Sequence, residues 1–276
     1  MKCDLGEIEI FYETYGSGRP IVMLPGRPSD HRIMLRFMEP VFTQRDGWLR
    51  IYPDLPGSGL TPGMDHLATH DQMLETMLAF IDKVIPGQRF VLAGLSYGGY
   101  LSRGVLSHRA ALIDGVLLCA PQVTAPVIQD HLPPKNTLVE DTTLVAQLYP
   151  GLADLLVVQS PLVVEAAHTL QAEVAIANHA FQERLAASDP FSIDVDNSHT
   201  PFEGPTLIIT ARQDNLCGYR DAWNLLDAFP RATFAVLDRA GHFVNIEQDT
   251  LCHTLMQEWL DRVEEATNVT DHSPTL

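Results

Sequence analysis

The stretch Gly94-Leu-Ser96-Tyr-Gly98-Gly99 carries the residues of this chain best suited to chemistry. A serine hydroxyl becomes a nucleophile when a neighbouring base takes its proton. An apolar run, Phe90 to Ala93, precedes the motif, and Tyr100 to Leu106 can continue as a helix. Gly-x-Ser-x-Gly also fills ordinary turns, but between a strand and a helix it predicts a serine lifted out on a sharp, strained turn, a nucleophile elbow. Only very small residues fit two positions before and after such a serine, hence Gly94 and Gly98. The first amides of the following helix, beginning with Tyr97, then point at whatever Ser96 attacks.

Elements able to position that serine run along the whole chain. Glu7 to Thr14 alternates as a strand and ends at Gly16-Ser-Gly18, and Pro20 to Leu24 is a second strand. Pro25-Gly26-Arg27-Pro28 follows, then a helix start at Ser29-Asp30. Trp48 to Pro53 is a short strand before the glycine/proline loop Asp54 to Pro62, where Asp54 is read as a structural turn residue. Asp71 is expected to cap a helix with the stripe Leu74, Leu78, Ile81 and Ile85. Beyond the serine, Asp114 to Ala120 and Pro205 to Ala211 read as buried strands. A helix from about Tyr219 to Phe229 and a strand Thr233 to Leu237 come next. A last helix spans about Asp249 to Glu265, with Leu251, Leu255, Trp259 and Val263 toward the sheet, and the tail after Thr267 is polar and read as frayed. Strands alternating with helices imply a mostly parallel sheet covered on both faces.

Residues 121–203 break that rhythm. Helical stretches at Thr142 to Tyr149, Leu152 to Val158 and Val163 to Ala187 suggest an inserted helical cap. The expected domains are therefore a core of residues 1–120 and 204–276 and a cap of residues 121–203.

The 276 residues are ample for one large buried core. A formal net charge of −17 argues against nucleic-acid binding, which needs basic patches. No run is long enough to span a membrane, and no apolar leader is visible after Met1. Cys3, Cys119, Cys217 and Cys252 are scattered without metal-ligand spacing and read as free thiols, so a cytoplasmic protein is expected.

These landmarks together resemble the α/β-hydrolase superfamily, in its serine-nucleophile branch with a helical cap, over nearly all of the core. In that family the triad follows the chain order nucleophile, acid, histidine. Here Ser96, Asp214 and His242 each follow a strand, and the resemblance implies that they are nucleophile, orienting acid and general base. Gly241 and Phe243 flank the histidine as the family pattern does. Asp214 competes with Asp221, Asp227 and Asp238, and its place directly after a strand favours it. The resemblance also implies that the Arg27 and Tyr97 N–H groups form an oxyanion hole. Many relatives carry His-Gly where this chain has Pro25-Gly26. The Arg27 side chain is read as solvent-facing, although its charge would suit an acidic substrate. Cys217 is read as a small loop residue.

Dehalogenases and epoxide hydrolases of the family use an aspartate nucleophile, so Ser96 points to acyl transfer. The expectation is a serine hydrolase acting on a small, fairly apolar carboxylic ester without metal or organic cofactor. The alternatives are a C–C bond hydrolase, a proline-iminopeptidase-like peptidase, or a ligand-binding receptor. The peptidase would need acidic cap residues for a free amine, and Glu165, Glu173 and Glu183 are read instead as helix-surface glutamates. Apolar cap residues (Leu144, Leu148, Leu152, Leu155, Leu156, Val163 and Phe181) would line a pocket or pack the cap on itself.

Overall fold

Runs of consecutive apolar residues become strands covered on both faces. The structure is a computed structural model and describes residues 1–195 and 200–271. In chain order the elements begin with β1 (Lys2–Asp4), β2 (Glu9–Tyr15), β3 (Arg19–Leu24), α1 (His31–Phe42) and β4 (Trp48–Pro53). Next come α2 (His70–Val84), β5 (Phe90–Leu95), α3 (Tyr97–Arg109) and β6 (Ile113–Cys119). The short α4 (Pro150–Ala153), then α5 (Pro161–Val174) and α6 (His179–Ala186), lie between β6 and β7 (Thr206–Ala211). After β7 come α7 (Arg220–Trp223), β8 (Ala232–Leu237), α8 (Val244–Glu247) and α9 (Asp249–Asp271). The eight strands form one sheet in the order β1-β2-β4-β3-β5-β6-β7-β8. The pairs β1–β2 and β2–β4 are antiparallel and the others parallel.

Alternation along each strand splits the core in two. Val22, Leu24, Leu92 and Leu118 pack with Met73, Leu74 and Leu101 of α2 and α3. Ile21, Met23, Val91 and Leu117 face the other way, onto Phe37 and Met38 of α1 and Met256 and Trp259 of α9. β5 lies between β3 and β6, so the chain leaving its end emerges from the middle of the sheet.

Several expected helices are shorter or broken. The stretch Val163 to Ala187 divides because Asn178 caps α6, its side chain accepting from Phe181 N at 3.1 Å, while its own N–H donates to Gly57 O. Thr142 to Tyr149 yields only a 3-10 turn, Leu144–Gln147. Pro150 starts α4 and the helix ends at Ala153, since Val157 O accepts from Leu138 N and Val139 N in an extended segment. Tyr219 to Phe229 is one α-turn and one 3-10 turn. The α2 cap is Thr69, not Asp71; the Asp71 carboxylate reaches across to Ser192 N at 3.0 Å. In α9, Leu251 is half exposed, and Cys252, Met256 and Leu260 take the buried face with Trp259 and Val263. The helix runs on to Asp271 through the tail read as frayed; residues 272–276 lie outside the described residues.

Glu173, expected on a helix surface, is buried. Its carboxylate on α5 takes both terminal nitrogens of Arg36 on α1, Nη2 to Oε2 at 2.9 Å, with Arg32 Nε 3.7 Å away. This fork joins the β6–β7 insertion to the core. Losing one partner of a buried pair strands the other charge. Arg36→Met is therefore expected to lower stability by about 2 kcal/mol, discounted for its partly exposed guanidinium. Pairing it with Glu173→Gln should recover part of that loss. Denaturant unfolding of both single variants and the pair checks this.

Candidate active site

Ser96 sits between β5 and α3 with φ +54° and ψ −117°. That left-handed backbone strains any residue with a side chain. A Cβ added at Gly94 would lie 2.4 Å from Gly98 O, and one at Gly98 would lie 2.1 Å from Leu24 O. Both are far inside contact distance, so the two glycines are needed on steric grounds. Hydrogen bonds clamp the turn to the neighbouring strand and its loop: Ser96 N donates to Cys119 O at 2.9 Å, and Gln122 N donates to Ser96 O at 3.0 Å.

The structure brings together the three residues singled out by their order. His242 Nε2 is 2.9 Å from Ser96 Oγ, and His242 Nδ1 is 3.1 Å from Asp214 Oδ2. All three are buried, Asp214 completely. Asp214 Oδ1 accepts from Leu216 N and Cys217 N, both at 2.9 Å, which fixes the carboxylate in the loop after β7. Of its competitors, Asp221 pairs with His131 and Asp238 accepts from Gln213. Burial raises the energy of both charged forms, yet the pair overrides it. His242 and the two amides hold Asp214 below its ordinary value. The Asp214 carboxylate, with the neighbouring Cys217 thiol, holds His242 well above 6.5.

Tyr97 N–H, at the start of α3, and Arg27 N–H, in the loop after β3, have no protein acceptor among the described residues. The Arg27 side chain is not solvent-facing as expected. It turns inward, with its guanidinium 5.1 Å from the Tyr97 ring centroid and Nη1 donating to Gln182 O at 3.0 Å. A side chain's direction is set by tertiary partners, which the local loop sequence does not show.

Two cavities meet at Ser96. One, of about 300 Å³, is lined by Arg27, His70, Tyr97, Gln122, Leu216 and Cys217 among others. Burial, then the nearby Arg27 charge, push His70 down to about 4, so it is neutral. The second, of about 120 Å³, is largely apolar and includes His242, Leu155, Leu170, Val174 and Asn245. Of the apolar insertion residues named from sequence, only Leu155 lines either cavity beside Ser96. Leu148, Leu152, Leu156 and Val163 are packed into the core instead. A larger cavity of about 700 Å³ lies at the other end of the sheet, among Arg89, Asp114, Pro205 and Arg231, which precede or begin strands. Open α/β sheets build sites where strands end, and Ser96, Asp214 and His242 lie there.

Asp30, His31 and Asp54 bring possible metal-ligand atoms within 4.8 Å of one another. Those atoms are already engaged. Asp54 Oδ1 accepts from His31 N at 2.8 Å and faces His31 Nδ1 at 2.7 Å, Asp54 Oδ2 accepts from Leu60 N, and Asp30 forks onto Arg32. This set closes the β4 loop over α1, which agrees with the structural reading of Asp54.

Glu247 escaped the sequence reading. Its Oε1 accepts from Val157 N at 2.6 Å and Val158 N at 2.8 Å, and its Oε2 from Gly241 N at 2.7 Å. It thus anchors the residue before His242. Its only sequence signal was an acid five positions after that histidine, directly following Ile246. Burial pushes Glu247 up to about 7 despite the three N–H donors.

A family model described as Alpha/beta hydrolase family matches residues 21–253. No curated protein sequence matches the chain. Among solved structures, an alpha/beta superfamily hydrolase from Oenococcus oeni PSU-1 is 26% identical, with 92% of this chain and 96% of that chain covered and a TM-score of 0.81. A thermophilic esterase from Thermogutta terrifontis is 21% identical over 95% and 98%, TM-score 0.70. A meta-cleavage product hydrolase from Pseudomonas fluorescens IP01 is 19% identical over 95% and 97%, TM-score 0.71. The last two likenesses establish the shared fold.

Two outcomes follow from this geometry. Glu247→Ala leaves three N–H groups unpaired and is expected to cost about 3 kcal/mol. A carboxyl whose folded value is raised stabilises most at low pH, and that contribution is lost as pH rises through about 7. The cost should therefore be larger at pH 5 than at pH 8, which chemical unfolding at the two pH values measures. Asp214→Asn removes the largest influence that raises His242 and leaves burial, which lowers it, opposed only by Cys217. Hydrolysis rates measured against pH should show the acid limb above about 6.5 in the wild type. The variant's limb should move down, with kcat lower by about 10⁴.

Proposed function

Because the chain belongs to the alpha/beta hydrolase family, we propose that it is a serine hydrolase cleaving a small carboxylic ester through Ser96, His242 and Asp214. The observation that carries this reading is the continuous chain from Ser96 Oγ to His242 Nε2 at 2.9 Å and on from Nδ1 to Asp214 Oδ2 at 3.1 Å. In the first half-reaction His242 takes the Ser96 proton as Oγ attacks the ester carbonyl carbon. The oxyanion that forms is held by the Arg27 and Tyr97 N–H groups, each donor worth about 3 kcal/mol in such sites. Collapse expels the alcohol, which takes the proton from His242, and leaves an acyl-enzyme on Ser96. A water deprotonated by His242 then attacks the acyl carbon, and the proton returns to Ser96 as the acid departs. Asp214 holds the imidazole tautomer and stabilises the imidazolium throughout.

In this reading residues 121–203 act as a cap over a core of residues 1–120 and 204–276, and the partner is a small acyl compound rather than nucleic acid or membrane. Among the described residues no helix is long and apolar enough to cross a membrane. The four free, buried cysteines support a cytoplasmic setting.

The same machinery would serve C–C cleavage of a diketone, and the similar folds include both esterases and meta-cleavage product hydrolases; the ester series below separates the two. The peptidase reading loses support. No carboxylate lines either cavity at Ser96 among the described residues, Glu173 is committed to Arg36, and Glu165 and Glu183 are exposed. A receptor would keep the fold without an activated serine. The deciding experiment is hydrolysis of p-nitrophenyl esters of increasing acyl length, with Ser96→Ala as control and fluorophosphonate labelling beside it. Turnover and labelling that both vanish in Ser96→Ala are expected. A folded wild type that neither labels nor turns over these esters would favour the receptor.

A further inference from the structure

A cation stands in the Ser96 cavity without a counter-ion among the described residues. The chain is strongly acidic, and several of its arginines find carboxylates: Arg32 with Asp30, Arg36 with Glu173, Arg45 with Asp261, and Arg50 with Glu39. Arg27 does not. Its only hydrogen bond among the described residues is Nη1 to Gln182 O, which uses one of five guanidinium N–H donors. Its Nε is buried with no acceptor. The cation–π contact with Tyr97 satisfies none of those donors. The group stays charged at any ordinary pH. The cavity it lines contains no acid, and its one histidine is neutral.

We propose that the Arg27 guanidinium binds a carboxylate of the substrate, so that the preferred ester carries a second, free carboxylate, as in the half-ester of a short dicarboxylic acid. A carboxylate matches the planar fork with two parallel N–H···O bonds. It would lie in the 300 Å³ cavity, with the scissile carbonyl over Ser96 and the apolar remainder in the cavity beside Leu155 and Leu170. Arg27 thereby has two separate uses: its backbone N–H for the oxyanion and its side chain for recognition. Only the second changes on substitution at this position, because every residue but proline keeps the N–H.

The inference rests on the hydrolase reading for its substrate but not for its binding site, and the experiment separates the two. Mono-p-nitrophenyl glutarate and p-nitrophenyl pentanoate differ chiefly in the free carboxylate. The wild type is expected to favour the glutarate by tenfold or more in kcat/KM, and in Arg27→Met that ratio should fall by about a hundredfold, mainly through KM. Arg27→Lys keeps the charge without the fork and should fall between. Reading the ratio removes any general loss of activity or folded fraction in the variant. Glutarate binding to the wild type, measured by calorimetry and abolished in Arg27→Met, supports the proposal even if neither ester is turned over. In that event the hydrolase reading fails and the carboxylate site stands. A ratio unchanged in Arg27→Met, no preference in the wild type, or glutarate binding that survives the substitution overturns the proposal, whatever the esterase rates.

Discussion

The left-handed backbone of Ser96 is the constraint on which the rest of the structure depends. Holding a residue with a side chain at φ +54° costs on the order of 1–3 kcal/mol. It persists only because the surroundings leave no alternative. β5 is hydrogen-bonded on both sides, α3 begins on the next residue, and the serine's own N–H and C=O are tied to Cys119 and Gln122. Gly94 and Gly98 are the steric condition for that arrangement. Once the hydroxyl stands clear at the end of the middle strand, the loops after β7 and β8 need only bring an acid and an imidazole to the same edge. The parallel register of β6, β7 and β8 does so.

Much of this was legible in the sequence because it is written in local patterns. Apolar runs with glycine and proline at their ends gave the strands, and the motif around Ser96 predicted a turn whose steric crowding the structure shows at Gly94 and Gly98. The order of Ser96, Asp214 and His242 along the chain anticipated their meeting. What escaped notice depends on partners distant in sequence. Glu173 has the helical setting of a surface residue and is buried by Arg36, 137 positions away. Leu251 fits an apolar stripe as well as Met256 does, and only the packing of α9 on the sheet separates them. The insertion was hardest, since segments such as 156–158 are extended by bonds to other loops rather than by their own composition.

The site combines two electrostatic regimes in a small space. Around His242 a negative carboxylate is fully buried and neutralised by two amides and an imidazole. A short distance across the serine, a guanidinium is held against an aromatic face with most of its donors unused. The first arrangement is closed and self-sufficient. The second is open, and it faces the larger of the two cavities at the nucleophile. One side of the serine thus offers apolar walls and the other a positive charge.

Glu247 joins two parts of the molecule that are far apart in the chain. One oxygen of its carboxylate serves Val157 and Val158 of the insertion, and the other serves Gly241, next to the imidazole. The joint behaves as an interlock. The insertion cannot swing away at this corner without surrendering the hydrogen bonds that share a carboxylate with the histidine loop. Exposure of the cleft there and the placement of His242 are thus mechanically opposed. A molecule open at that corner is one whose His242 loop has lost part of its footing.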